Sequence, residues 1–148
     1  MMTLRRETFG ILGALLIALA ACDESTGPEA ARQDAVLTSS QEMTLRYGEE
    51  KPVGQSVMRL SFGQVNEDSR CPIGVVCVWA GNAQVELGIR AGMGPTYPLR
   101  LNTNLEPRST VWSGIRITLL DVQPAPKASE PTKPEDYSVK VKLEPERK

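Results

Sequence analysis

From residue 36 onward, apolar side chains recur at every second position, and this period decides what the chain can fold into. In the stretch from Ala83 to Arg90, the residues Ala83, Val85, Leu87 and Ile89 share one face, while Gln84, Glu86 and Arg90 share the other. The same alternation runs through Met43, Leu45 and Tyr47, then Met58, Leu60 and Phe62, then Tyr97, Leu99 and Leu101. Ile115, Ile117 and Leu119 continue it, and Tyr137, Val139, Val141 and Leu143 close it. Leu120 and Val122 fall on the opposite parity, which predicts a bulge or a strand buried on both sides. Pro98 cannot donate to a ladder and marks its strand as an edge. Gly48, Asn66-Glu67-Asp68-Ser69, Gly81-Asn82, residues 91–95, 102–104, 113–114 and the proline-rich 123–136 interrupt the pattern as turns and loops. No helical period follows the first 35 residues. The expected fold is all-β: an antiparallel β-sandwich of about seven or eight short strands, with a small β-barrel as the alternative. Aromatic residues are 5% of the chain, so the core must rest on Val, Leu, Ile and Met.

Asp68 to Gly81 is the densest stretch. Cys71 and Cys77 enclose five residues. Pro72 presets φ for a corner and Gly74 suits its far end, so Cys71–Gly74 reads as a type I turn. Val75 to Trp79 then reads as a strand. A turn here brings the two sulfurs toward each other, and a structural disulfide is the leading reading. Two thiolates without histidine leave a zinc shell half empty, so no metal is assigned. The spacing is not Cys-x-x-Cys, which argues against a redox pair. A loop this short contributes about 2–2.5 kcal/mol in the chain-entropy account, a local staple. Trp79 reads first as a core side chain beside the bridge and second as an exposed binding aromatic.

Arg5 and Arg6 precede an apolar run, Ile11–Ala20, that is too short to span a bilayer and has the length of a secretory signal. It ends at Leu19-Ala20-Ala21-Cys22, which resembles the bacterial lipobox. On that reading residues 1–21 are a lipoprotein signal peptide, and Cys22 is lipidated, carries fatty acyl groups such as palmitate, and becomes the first mature residue. An ordinary signal peptide or an uncleaved anchor are the alternatives. The cysteine count agrees: three is odd for an exported chain, and a lipidated Cys22 leaves Cys71 and Cys77 to pair in oxidising surroundings. Residues 22–35 are polar and aperiodic and read as the lipidated flexible tether. Residues 36–148 form the single β-domain. Asp23 resembles the signal that retains enterobacterial lipoproteins in the inner membrane, and the choice of membrane stays open.

The run D-S-R-C-P-I-G-V-V-C-V-W-A-G resembles a motif in a family of uncharacterised bacterial secreted proteins and lipoproteins. The cysteine pair, Pro72, Trp79 and Gly81 carry the resemblance, which extends weakly to the segment around Val122 and Pro124 and to the strand from Tyr137. The resemblance implies an extracytoplasmic location and a β fold. It implies no activity.

Without residues 1–21 the chain holds 15 basic and 17 acidic side chains. Near-neutrality without basic clusters gives no footprint for nucleic acid, so membrane attachment falls to the acyl chains. Catalysis lacks its parts. Histidine is absent, the cysteines are committed, and no serine sits in a nucleophile-elbow pattern. Asn66 to Ser69 reads as a solvated acidic turn rather than a calcium loop. No cofactor is expected. The chain therefore reads as a non-catalytic cell-envelope lipoprotein, a binding or structural module for an envelope protein or glycan, with Ile73, Val75, Val76 and Trp79 as candidate binding residues. The alternative is a protease inhibitor using the Cys71–Cys77 loop, whose preorganisation would lower the entropic cost of binding. Exposure of Ile73 to Val76 separates a displayed loop from a buried one.

Overall fold

The computed structural model describes residues 37–146. The expected signal peptide 1–21, Cys22 and the expected tether 22–35 lie outside the described residues. Among the described residues eight strands follow one another: β1 Gln41–Arg46, β2 Glu50–Pro52, β3 Met58–Asp68, β4 Ala83–Ala91, β5 Tyr97–Asn102, β6 Ser109–Trp112, β7 Ile115–Gln123 and β8 Ser138–Pro145. They pair antiparallel in two four-stranded sheets, ordered β1-β8-β7-β6 and β2-β3-β4-β5. The sheets do not join into a barrel, so the fold is a β-sandwich.

Alternation explains the layering. Leu60 and Phe62 of β3 and Val85, Leu87 and Ile89 of β4 are buried from one sheet. Leu45, Ile117, Leu119, Val139, Val141 and Leu143 are buried from the other. At roughly 25 cal/mol per Å² of apolar surface, these facing rows are the main stabilising term. Phe62 is the aromatic at the centre, packed edge-on against Tyr47 at 6.3 Å. The parity break in β7 is a bulge between Leu119 and Asp121: Leu120 turns outward and Val122 returns to the core. β5, with Pro98, is a sheet edge.

Several expectations need correction. Asn66 to Asp68 is not a turn; β3 runs on through Asp68 by way of two register shifts, which absorb the break in alternation. β2 is an additional strand of three residues, paired to β3. Val75 to Trp79 forms no strand. Its apolar composition fits a ladder, but the chain there is the tip of the β3–β4 hairpin and has no neighbouring strand. A short 3-10 turn, Pro134–Asp136, lies within the proline-rich loop.

The sandwich has two poles. β3 carries the chain from one to the other, roughly 30 Å at the usual rise per residue. At one pole lie Leu37, the β2–β3 turn, the Trp112–Ile115 hairpin and Glu146, whose N–H donates to Gly114 O at 2.8 Å. At the other lie the β3–β4 connection, Val122–Pro124, Tyr137 and Asn102–Asn104. Both ends of the described chain are thus remote from the cysteine loop.

A candidate binding site on a braced disulfide loop

The β3–β4 connection spans residues 69–82 and is zipped at its base. Ser69 N donates to Asn82 O at 2.7 Å, and Cys71 N donates to Ala80 O at 3.0 Å. Gly81 makes this closure feasible. Its φ is 69°, and a Cβ there would sit 1.8 Å from Ser69 O, so no other residue fits without moving backbone. Beyond the base, Cys71 and Cys77 are disulfide-bonded, with Cα atoms 5.9 Å apart. The expected corner shifts by one residue. Val75 N donates to Pro72 O at 3.2 Å, so the turn is Pro72–Val75. Gly74 at φ 80° takes its third position, the type II arrangement.

The loop is also tied to the second sheet. Ile73 N donates to Pro126 O at 2.9 Å beside an isolated bridge to Lys127. Arg70 is the larger tie. Its guanidinium pairs with Asp68 at 2.6 Å, and donates to Val122 O and, at 2.8 Å, to Pro124 O. Tyr137 Oη donates to the same Asp68 carboxylate at 3.0 Å. Burial pushes the Asp68 carboxyl up, but the hydrogen bonds and charge of Arg70, with the Tyr137 hydroxyl, outweigh it and hold the group below its usual range. Burial and the bond to Asp68 both raise the Tyr137 hydroxyl.

A buried polar cluster finishes the base. Asn82 Nδ2 donates to Asn102 Oδ1 at 2.9 Å, and Asn82 Oδ1 accepts from Asn104 N at 3.1 Å and Thr103 Oγ1 at 3.3 Å. Among the described residues no buried side-chain polar atom lacks a partner, so this base is a rigid, fully paired platform.

What the platform holds up is apolar. Ile73 and Val75 are exposed, Val76 and Val78 are 101% and 96% exposed, and Trp79 is 79% exposed. The reading of Trp79 as a core side chain is therefore overturned. With no strand from Val75 onward, nothing carries its ring inward, and the ring is exposed. The four candidate residues Ile73, Val75, Val76 and Trp79 are brought together on one loop, with Val78 added to them. Trp79 also borders a shallow, mostly apolar groove with Ala80, Gly81, Asn104 and exposed Leu105. Sequence reasoning missed Leu105 and Arg70. Leu105 sits in a turn far along the chain from Trp79. Arg70 shows only an Asp68 two residues before it, and nothing in the sequence says which carbonyls it reaches. Among the described residues no group of His, Cys, Asp or Glu is arranged to hold a metal ion. No known family, curated protein or solved structure matches the chain.

Proposed function

We propose that the protein is a non-catalytic cell-envelope lipoprotein that uses the Cys71–Cys77 loop to bind another envelope macromolecule. The observation that carries this reading is the display of Val75, Val76, Val78 and Trp79 on a loop braced by a disulfide, an ion pair and backbone bonds across its base and to Pro126. Apolar side chains held outward on rigid backbone are costly in isolation and mark interaction sites. Preorganisation also reduces the entropy lost on binding. The lipid anchor at Cys22 rests on the lipobox resemblance and the odd cysteine, and it supplies membrane attachment without a basic patch. The two-pole arrangement leaves the loop unobstructed by the tether, because the chain reaches the domain at the opposite pole. A photo-crosslinking residue at Val78, activated in intact envelopes, tests the binding role. Discrete adducts from Val78, 96% exposed, and none from a comparably exposed control at Met93, 102% exposed, are expected. Equal labelling from both positions overturns it. Mass spectrometry of the membrane-extracted protein tests the anchor; an unmodified N-terminus at any other residue overturns it.

A further inference from the structure

Resting on that reading of the loop as the binding surface, we infer that its partner is a serine endopeptidase with a small aliphatic specificity pocket. The loop presents the Val76–Cys77 bond to that enzyme as a tightly held, slowly cleaved pseudo-substrate. Val76 is fully exposed and follows the Pro72–Val75 turn, next to a disulfide-bonded Cys77. A β-branched aliphatic side chain fits a shallow specificity pocket and neither the basic-selective nor the deep aromatic kind. Residues 76–79 make no backbone hydrogen bonds to the rest of the described chain, and none of residues 75–79 has a positive φ. Their N–H and C=O groups are free to pair with a protease cleft, which binds its substrates as an added strand.

The bracing explains inhibition rather than digestion. Attack on the Val76 carbonyl transfers the acyl group to the enzyme's serine, and the Cys77 amine leaves with a proton. That amine cannot diffuse away. The disulfide ties Cys77 to Cys71, Cys71 N is bonded to Ala80 O, and Asp68–Arg70 holds the strand before it. The amine stays beside the acyl carbon, and re-forming the peptide bond competes with attack by water. The full cycle consumes one water per cleaved bond and no other reactant.

The experiment measures residual activity of pancreatic elastase and of trypsin against small chromogenic substrates, titrated with the detergent-extracted protein. Stoichiometric inhibition of elastase, little effect on trypsin, and a minor nicked species cut after Val76 are expected. Val76→Lys, at a site without packing contacts, should weaken elastase inhibition about 100-fold or more and transfer it to trypsin. Cys71→Ala/Cys77→Ala should be cut at this bond without inhibiting. Absence of elastase inhibition by the parent, or its rapid complete cleavage after Val76, overturns the inference. If Val78 still gives discrete crosslinks in that event, the loop binds a partner of another kind and only the protease assignment falls.

Discussion

Arg70 does the work at the pole where the candidate site sits. Its guanidinium meets Asp68 on its own strand end and the carbonyls of Val122 and Pro124 on the opposite sheet. Both partners of the ion pair are nearly buried, with side chains 13% and 10% exposed. Removing the cation leaves a largely buried carboxylate without its counter-charge, held only by Tyr137 Oη and the residue 70 N–H, and takes a donor from the carbonyls of Val122 and Pro124. Arg70→Ala should therefore cost about 3 kcal/mol, read as a lowered urea midpoint at unchanged slope. The same pair sets an acid limb. The Asp68 carboxyl has a lower pKa in the fold than in the unfolded chain, so the native state binds that proton less tightly. Its stabilisation is complete above the unfolded carboxylate range near about 4 and is lost as pH falls through the folded value. Asp68→Asn should flatten the fall in urea midpoint below that range; a limb as steep as the parent's would contradict the assignment. Glu50, held at about 2 by hydrogen bonds from Arg90 and then Arg59, titrates in the same region, but its exposure to solvent limits its weight. None of this was legible in the run Asp68-Ser69-Arg70. A side chain that crosses between sheets depends on which loop the topology brings opposite.

The strands were legible where burial on one face forces alternation. β4 alternates without a fault from Ala83 to Ile89, and β8 from Val139 to Leu143, because each sits inside its sheet with one face on the core. The β7 bulge was visible as a change of parity. Legibility failed where irregular pairing replaced alternation. The two register shifts in β3 disguise its last residues, and the three residues of β2 are too few to show a period. The cysteine loop deceived for another reason: Val75 to Trp79 has strand composition and no strand to pair with. What holds that loop is local, and the disulfide is one of several braces. Its removal should cost about 2 kcal/mol, which for a domain of this size lowers the melting temperature by about 10 °C. Cys71→Ala/Cys77→Ala should still fold cooperatively, because the sheets and the paired bases Ser69–Asn82 and Cys71–Ala80 do not depend on the sulfurs. A double variant that fails to fold would make this loop the nucleus of the domain instead of its appendage.

At the scale of the molecule, the two-pole arrangement puts the chain's entry to the domain and the apolar loop at opposite ends. Leu37 and Glu146 lie at one pole with Trp112, and the loop with Trp79 lies at the other. If Cys22 carries a lipid, the tether would enter the domain at the first pole, on the side away from the apolar loop. On the proposed lipid-anchored protein, an exposed tryptophan could instead insert its ring into the membrane interface, where such side chains are favoured. A tether of this length can reach as far as the roughly 30 Å between the poles, so a measurement on the ring itself decides. With Trp112→Phe, Trp79 becomes the single tryptophan and reports its own surroundings. In proteoliposomes carrying the lipidated variant, aqueous acrylamide should quench its emission nearly as well as in detergent, since the ring is 79% exposed. Spin-labelled lipids quench only at short range and should leave it almost unchanged. Strong quenching by those lipids would place the loop in the bilayer and remove the basis for an aqueous partner. Quenching by neither agent would mean that Trp79 is covered by a second protein molecule, which a dilution series would resolve.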